Sequence, residues 1–147
     1  MIRPHAFLKR LRRDDAGAAA IEFALLGSLM VSILLAVFQI GMTMQRYNAL
    51  RSISDDVARY VAVQYQGGNE LKAEQIRKYA RSVAMASPYY VEPEGLLVSV
   101  TPAGVTRIPG TTEFDFTIRG QVSMITGILG FSGFYITYSR AIFVLDE

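Results

Sequence analysis

Between Ala24 and Met44 the chain reads ALLGSLMVSILLAVFQIGMTM, 21 residues without a formal charge. As a helix, at about 1.5 Å per residue, this run spans roughly 31 Å, matching a hydrocarbon core of ~30 Å. It is longer than the ~7–15-residue apolar region of a secretory signal peptide. Gln45, Arg46 and Tyr47 follow it, not a small-residue cleavage site. The run is therefore expected to be a retained membrane helix. Charge sets its expected orientation. Residues 1–17 carry Arg3, Lys9, Arg10, Arg12 and Arg13 against Asp14 and Asp15, a net +3. The other 130 residues hold ten basic and eleven acidic groups. A basic flank stays in the cytoplasm, which sends everything after Arg46 to the other side.

That distribution removes the simplest reading of an overall +2 charge. A nucleic-acid surface spreads Lys and Arg over a folded face, whereas here the excess sits in the first seventeen residues, so no nucleic-acid partner is expected. Hydrophobic residues make up 51% of the chain, too many for a disordered polymer. The absence of cysteine removes disulfides, thiolate metal sites and cysteine nucleophiles. With His5 as the one histidine, a catalytic triad or multi-histidine metal site has almost nothing to build on. No phosphate-binding loop, dinucleotide fingerprint or calcium loop is present. The expectation is a non-enzyme without cofactor or metal.

One charge interrupts the apolar stretch. From Ala16 to Gln45 the only ionisable residue is Glu22, followed by Phe23, Ala24, Leu25 and Leu26. A carboxylate at a membrane-helix centre costs about 2.5–3.5 kcal/mol on insertion scales and less near an end, so such residues serve a function by default. The sequence leading to it is Arg12-Arg13-Asp14-Asp15-Ala16-Gly17-Ala18-Ala19-Ala20-Ile21-Glu22-Phe23. This resembles the processing site of type IV prepilins, the Flp/Tad subclass in particular: a basic leader ending in Gly, Glu five residues later, then an aromatic. The subclass more often has Tyr where Phe23 stands. Roughly a hundred residues follow the helix, so the chain is similar to the TadE/TadF-like minor pseudopilins and not to the short major pilins.

The resemblance implies cleavage between Gly17 and Ala18, a register role for Glu22 and Phe23 in a fibre, and a discarded leader that takes His5 with it. It implies as partners a prepilin peptidase, the major Flp pilin and other minor pseudopilins, inner-membrane platform proteins and an assembly ATPase, besides membrane lipid. It implies an inner-membrane precursor whose product enters the periplasm or pilus. The expected organisation is a leader over 1–17, a membrane helix over 18–45 and an extracytoplasmic head over 46–147.

The head reads as α+β. Leu50, Ile53, Val57, Tyr60 and Val61 recur at helical spacing, so the long helix is expected to continue past the membrane. Arg51, Asp55 and Arg59 form a ladder on another face, and Asp55-Asp56 reads as a solvated pair. Gln66-Gly67-Gly68-Asn69 ends this helix, with Asn69 expected to cap the next. Ile76, Tyr79, Ala80 and Val83 give the second helix its apolar face, and Ser87-Pro88 stops it. Leu96–Thr101 is the first expected strand, followed by turns at Pro102-Ala103-Gly104 and Pro109-Gly110. Glu113–Arg119 alternates, with Phe114, Phe116 and Ile118 on one face, and Phe134–Leu145 is apolar on both. A long transmembrane helix, a second helix and about three antiparallel strands make a small pilin-like head in which the long helix covers the Phe face.

Between the last two strands lies MITGILGFSGF, Met124 to Phe134. If exposed, its Ile125, Ile128, Leu129, Phe131 and Phe134 form a candidate contact with a partner subunit; if tucked under the sheet, they are core. Tyr89, Tyr90, Tyr135 and Tyr138 pose the same choice and read as core or its margin. The alternative to a processed pilin is an uncleaved single-pass protein whose head is a binding module. An anchored enzyme is the weaker alternative, because the head lacks paired carboxylates in any catalytic pattern.

Overall fold

The structure, a computed structural model, describes residues 15–125 and 133–145. The fold is α+β, with a long N-terminal apolar helix, a second helix and three antiparallel strands. Helix α1 runs over Asp15–Gln66 as 52 residues. The chain divides into two compact units, Met1–Gln39 and Ile40–Glu147, and α1 contributes to both.

In the first unit, α1 is one apolar rod. Ile21, Phe23, Leu25, Leu29, Met30, Leu34 and Phe38 are all more than half exposed. Its serine hydroxyls are satisfied locally. The hydroxyl of Ser28 donates to the Leu25 carbonyl at 2.9 Å, and that of Ser32 to the Ser28 carbonyl at 2.8 Å. Back-bonding of this kind leaves no hydroxyl seeking water, as a hydrocarbon environment requires.

In the second unit the same helix becomes amphipathic. Leu50, Ile53, Val57 and Val61 are fully buried at helical spacing, as their sequence pattern implies. The helix ends at Gln66 in a Schellman turn. The N–H of Asn69 donates to the Gln64 carbonyl and that of Gly68 to the Tyr65 carbonyl, both at 2.9 Å, with Gly68 at φ +73°. Asn69 thus closes the first helix and does not cap the second, since its side-chain amide also reaches Oε1 of Gln64 at 2.6 Å. Helix α2, Ala73–Met85, has Lys72 at its N-cap instead, whose backbone N–H is held by Oε1 of Gln75 at 2.8 Å. Ile76, Ala80 and Ala84 are its buried face, with Tyr79 and Val83 at the margin. A cis Ser87–Pro88 bond and a single 3₁₀ turn, Pro93–Gly95, lead into the sheet.

Strands β1 (Leu96–Pro102), β2 (Thr111–Val122) and β3 (Phe134–Leu145) form one antiparallel sheet in that order, with β2 central. β2 is longer than the alternating core Glu113–Arg119 suggests, because pairing with β3 extends its ladder from Thr111 to Val122. Phe114, Phe116 and Ile118 face the helices and are buried with Leu96, Val100, Ile142 and Val144. Gly120 extends that face. A Cβ there would lie 3.2 Å from Cδ2 of Leu50, so glycine lets α1 approach β2 closely.

Candidate functional site

The first candidate site is the N-terminal end of α1. Helix α1 is described from Asp15 onward; Gly17 and Ala18 are helical and exposed, and nothing described stands within 4 Å of where a Gly17 side chain would be. Glu22 and Phe23 follow one turn later, both exposed. Helical side chains lean toward the N-terminus, which sets the Glu22 carboxylate over the turn bearing Ala18 and Ala19. Among the described residues Glu22 has no hydrogen-bond or ion-pair partner. The helix is long and apolar enough to cross a membrane once, and its most apolar window is wholly unburied. Gly17, Ala18, Glu22 and Phe23 are thus brought together as the motif lays them out, on one helix end.

The second candidate, the segment before β3, is described at its ends. Ile125 is half-buried just past β2, and Phe134, the first residue of β3, is 40% exposed. Ile128, Leu129 and Phe131 lie outside the described residues.

Several polar ties of the head are absent from the sequence pattern. Asp55 does not ladder with Arg51 or Arg59; it forms an ion pair with Arg140 of β3. Asp56 is not a free solvated carboxylate either, because it accepts the Tyr89 hydroxyl at 2.8 Å. Burial, and then Asp56 as acceptor, push the Tyr89 phenol above its usual value. On the sheet face away from the helices, Glu113 is fully buried. The loop between β1 and β2 folds back over it. The Arg107 backbone N–H donates to Oε2 at 2.8 Å, and Nε donates to Oε1 at 2.6 Å. That backbone bond leads in holding the Glu113 carboxyl below the usual value; burial opposes it, and the Arg107 side chain adds to the lowering. The guanidinium also sits 5.7 Å from the Phe143 ring centroid. The only sequence signal for this clamp is an Arg and a Glu on either side of the Pro109-Gly110 turn. These ties fasten strands, loops and helix to one another. Among the described residues no three His, Cys, Asp or Glu side chains are grouped to hold a metal.

Residues 17–59 match the family model described as TadE-like protein. The match opens on Gly17, takes in the apolar segment and ends at Arg59, before α2 and the strands. No curated protein and no solved structure matches the chain.

Proposed function

Starting from the premise that residues 17–59 make this a TadE-like protein of the Tad pilus system, we propose that it is a minor pseudopilin. It is made as a single-pass inner-membrane precursor, cleaved after Gly17 by a prepilin peptidase and used in assembling an adhesive Tad/Flp-type pilus. The carrying observation is Glu22. It is the one charge between Ala16 and Gln45, a stretch of α1 with no buried residue from Gly17 on, and it stands five residues after Gly17. Cleavage removes the net +3 leader and creates an α-ammonium on Ala18. In a low-dielectric surrounding, an ammonium beside a carboxylate is far better than either charge alone. Glu22 then acts as a register device, costly while unpaired and compensated when the amine of a neighbouring subunit meets it. The head supplies an extracytoplasmic surface toward the major pilin and other minor pseudopilins. The platform proteins and ATPase act from the membrane and the cytoplasm. The role is structural, not catalytic.

Two substitutions separate the steps. Gly17→Val should abolish processing, because a β-branched residue blocks the accessible turn. Glu22→Ala should leave processing intact and reduce incorporation into pili. Normal processing of the first variant contradicts the cleavage site, and full incorporation of the second contradicts the register role. The competing reading, an uncleaved anchored module, draws on the placement of Gly17 inside a formed helix. It predicts that neither substitution changes the protein's mass or location.

A further inference from the structure

The second unit has two ends along α1, and its internal contacts sort the other elements between them. Strand β3 runs in the same direction as α1. Tyr47 meets Tyr138 edge to face at 5.8 Å, Asp55 pairs with Arg140, and Ala62, Tyr65 and Gln66 line one cavity with Phe143 and Leu145. Leu50 lies against Gly120, and Gly120 pairs with Ile136. Stepping back along β3 from Ile136 at about 3.3 Å per residue sets Phe134 roughly level with Gln45 and Arg46 of the helix. The loop after α2 reaches the same level, since Tyr89 lines a cavity with Met42, Gln45, Arg46 and Ala49. The start of β3 and the Tyr89-Tyr90 loop therefore meet α1 where its uncharged run, Ala24–Met44, gives way to Arg46.

Exposed aromatic rings gather at this end. Tyr47, Tyr90, Phe134 and Tyr135 are all exposed here, Tyr90 most of all at 71%. Tyr90 also holds φ +46°, a left-handed conformation that costs energy in any residue with a Cβ, and its ring gains no burial in return. The opposite end is marked by the Tyr65–Phe114 ring contact and the β1–β2 loop that follows Pro102. It shows aliphatic Val105, Ile108 and Leu145, while the exposed Phe143 has the Arg107 guanidinium beside its ring. Tyrosine is enriched at membrane–water interfaces, where the ring lies against apolar surface and the hydroxyl stays wet. Two carboxylates share the aromatic end. Glu92 and Glu94 are exposed just before β1, and Gly95 lies against Gln121, the partner of Tyr135. Carboxylates are tolerated among headgroups and not in hydrocarbon, which limits how deep this end can sit.

We propose that the head has a lipid-facing base, in which Tyr90, Phe134 and Tyr135, with Tyr47, seat this end at headgroup depth on the bilayer that α1 enters. Lipid is the partner because these rings stand level with Met42 and Met44, the last residues of the uncharged run. The proposal rests on the reading of α1 as a membrane-spanning helix and not on cleavage at Gly17. A head seated in this way turns its Gln66 end away from the bilayer.

The chain has no tryptophan, so a single indole, excited where tyrosine does not absorb, reports without background. Tyr90→Trp, Tyr135→Trp, Val105→Trp and Leu34→Trp would each be introduced singly into the full-length protein. Each variant would be reconstituted in phosphatidylcholine vesicles carrying a nitroxide either on the headgroup or at mid-chain. All four positions are exposed, so the core is left intact. The headgroup nitroxide should quench Tyr90→Trp and Tyr135→Trp several-fold more than Val105→Trp, and the mid-chain nitroxide should act most strongly on Leu34→Trp. Adding Tyr135→Glu to Tyr90→Trp should lower the quenching of that reporter. If Tyr90→Trp or Tyr135→Trp is quenched no more than Val105→Trp while Leu34→Trp is quenched, the lipid-facing base is overturned and the membrane helix stands. Stronger quenching of these two by the mid-chain label overturns the headgroup depth. An unquenched Leu34→Trp contradicts the membrane helix itself, and the proposal falls with it.

Discussion

Helix α1 passes through both units of the molecule under opposite rules. Over residues 17–39 its side chains are apolar on every side and almost none is buried. From Leu50 onward the helix becomes striped: Leu50, Ile53, Val57 and Val61 are fully buried, while Val63 on another side stays exposed. A helix apolar all round needs a membrane or other helices as its solvent, whereas a striped helix makes its own core with a sheet. The difference teaches where a substitution should register. The first half carries information for a lipid or subunit environment and contributes little to the stability of the head. The second half holds the head together.

The sharpest way to break that comparison is a matched pair of aromatic truncations. Phe116→Ala, at a fully buried position, should destabilise the head by about 3–5 kcal/mol in urea unfolding followed by head tyrosine fluorescence. Phe23→Ala, at a 79% exposed position, should change the same transition by less than about 0.5 kcal/mol. Equal losses would mean that the two halves do not have separate roles.

Next in size is Gly120→Val. A side chain there meets Leu50, and overpacking of this kind costs about 1–3 kcal/mol. Combining it with Leu50→Ala should recover part of that loss if the contact is the cause.

The Glu113 clamp gives a pH-dependent effect. A carboxyl held below its usual value stabilises the fold above the ordinary carboxylate range, and that stability is lost as pH falls through the folded-state value. Glu113→Gln should therefore flatten the acid limb of the stability–pH curve while leaving the alkaline limb unchanged. An acid limb identical to wild type would remove Glu113 as its source.

The smallest effect has the opposite sign. Ser54 is fully buried, and its hydroxyl has no hydrogen-bond partner among the described residues. Ser54→Ala should raise stability by roughly 1 kcal/mol by removing an unsatisfied polar atom and improving helix propensity.

Periodicity carried much of the fold in the chain itself. The Leu50–Val61 stripe, the Phe114–Ile118 alternation and the Gly67-Gly68 stop each act within a few residues, so each is readable locally. β3 was harder. A run apolar on both faces ordinarily marks a strand buried on both, yet here it lies at a sheet edge with Tyr135 and Leu145 exposed. Whether such a strand ends up central or lateral depends on strand order, which local pattern does not encode. The Arg107–Glu113 clamp and the Asp55–Arg140 pair depend on loop path and on a contact across 85 positions, so composition could not reveal them. Gly17, Ala18, Glu22 and Phe23 lie within seven residues of one another, so the motif they form can be read from the chain without knowledge of the fold.

That motif carries the central claim, and the protein's own N-terminus tests it most directly. Intact mass and N-terminal sequencing of the protein, taken from membranes of cells with an active prepilin peptidase, would read it. The account predicts a chain beginning at Ala18, with the leader through Gly17 removed. A chain beginning at Met1 under the same conditions would contradict it.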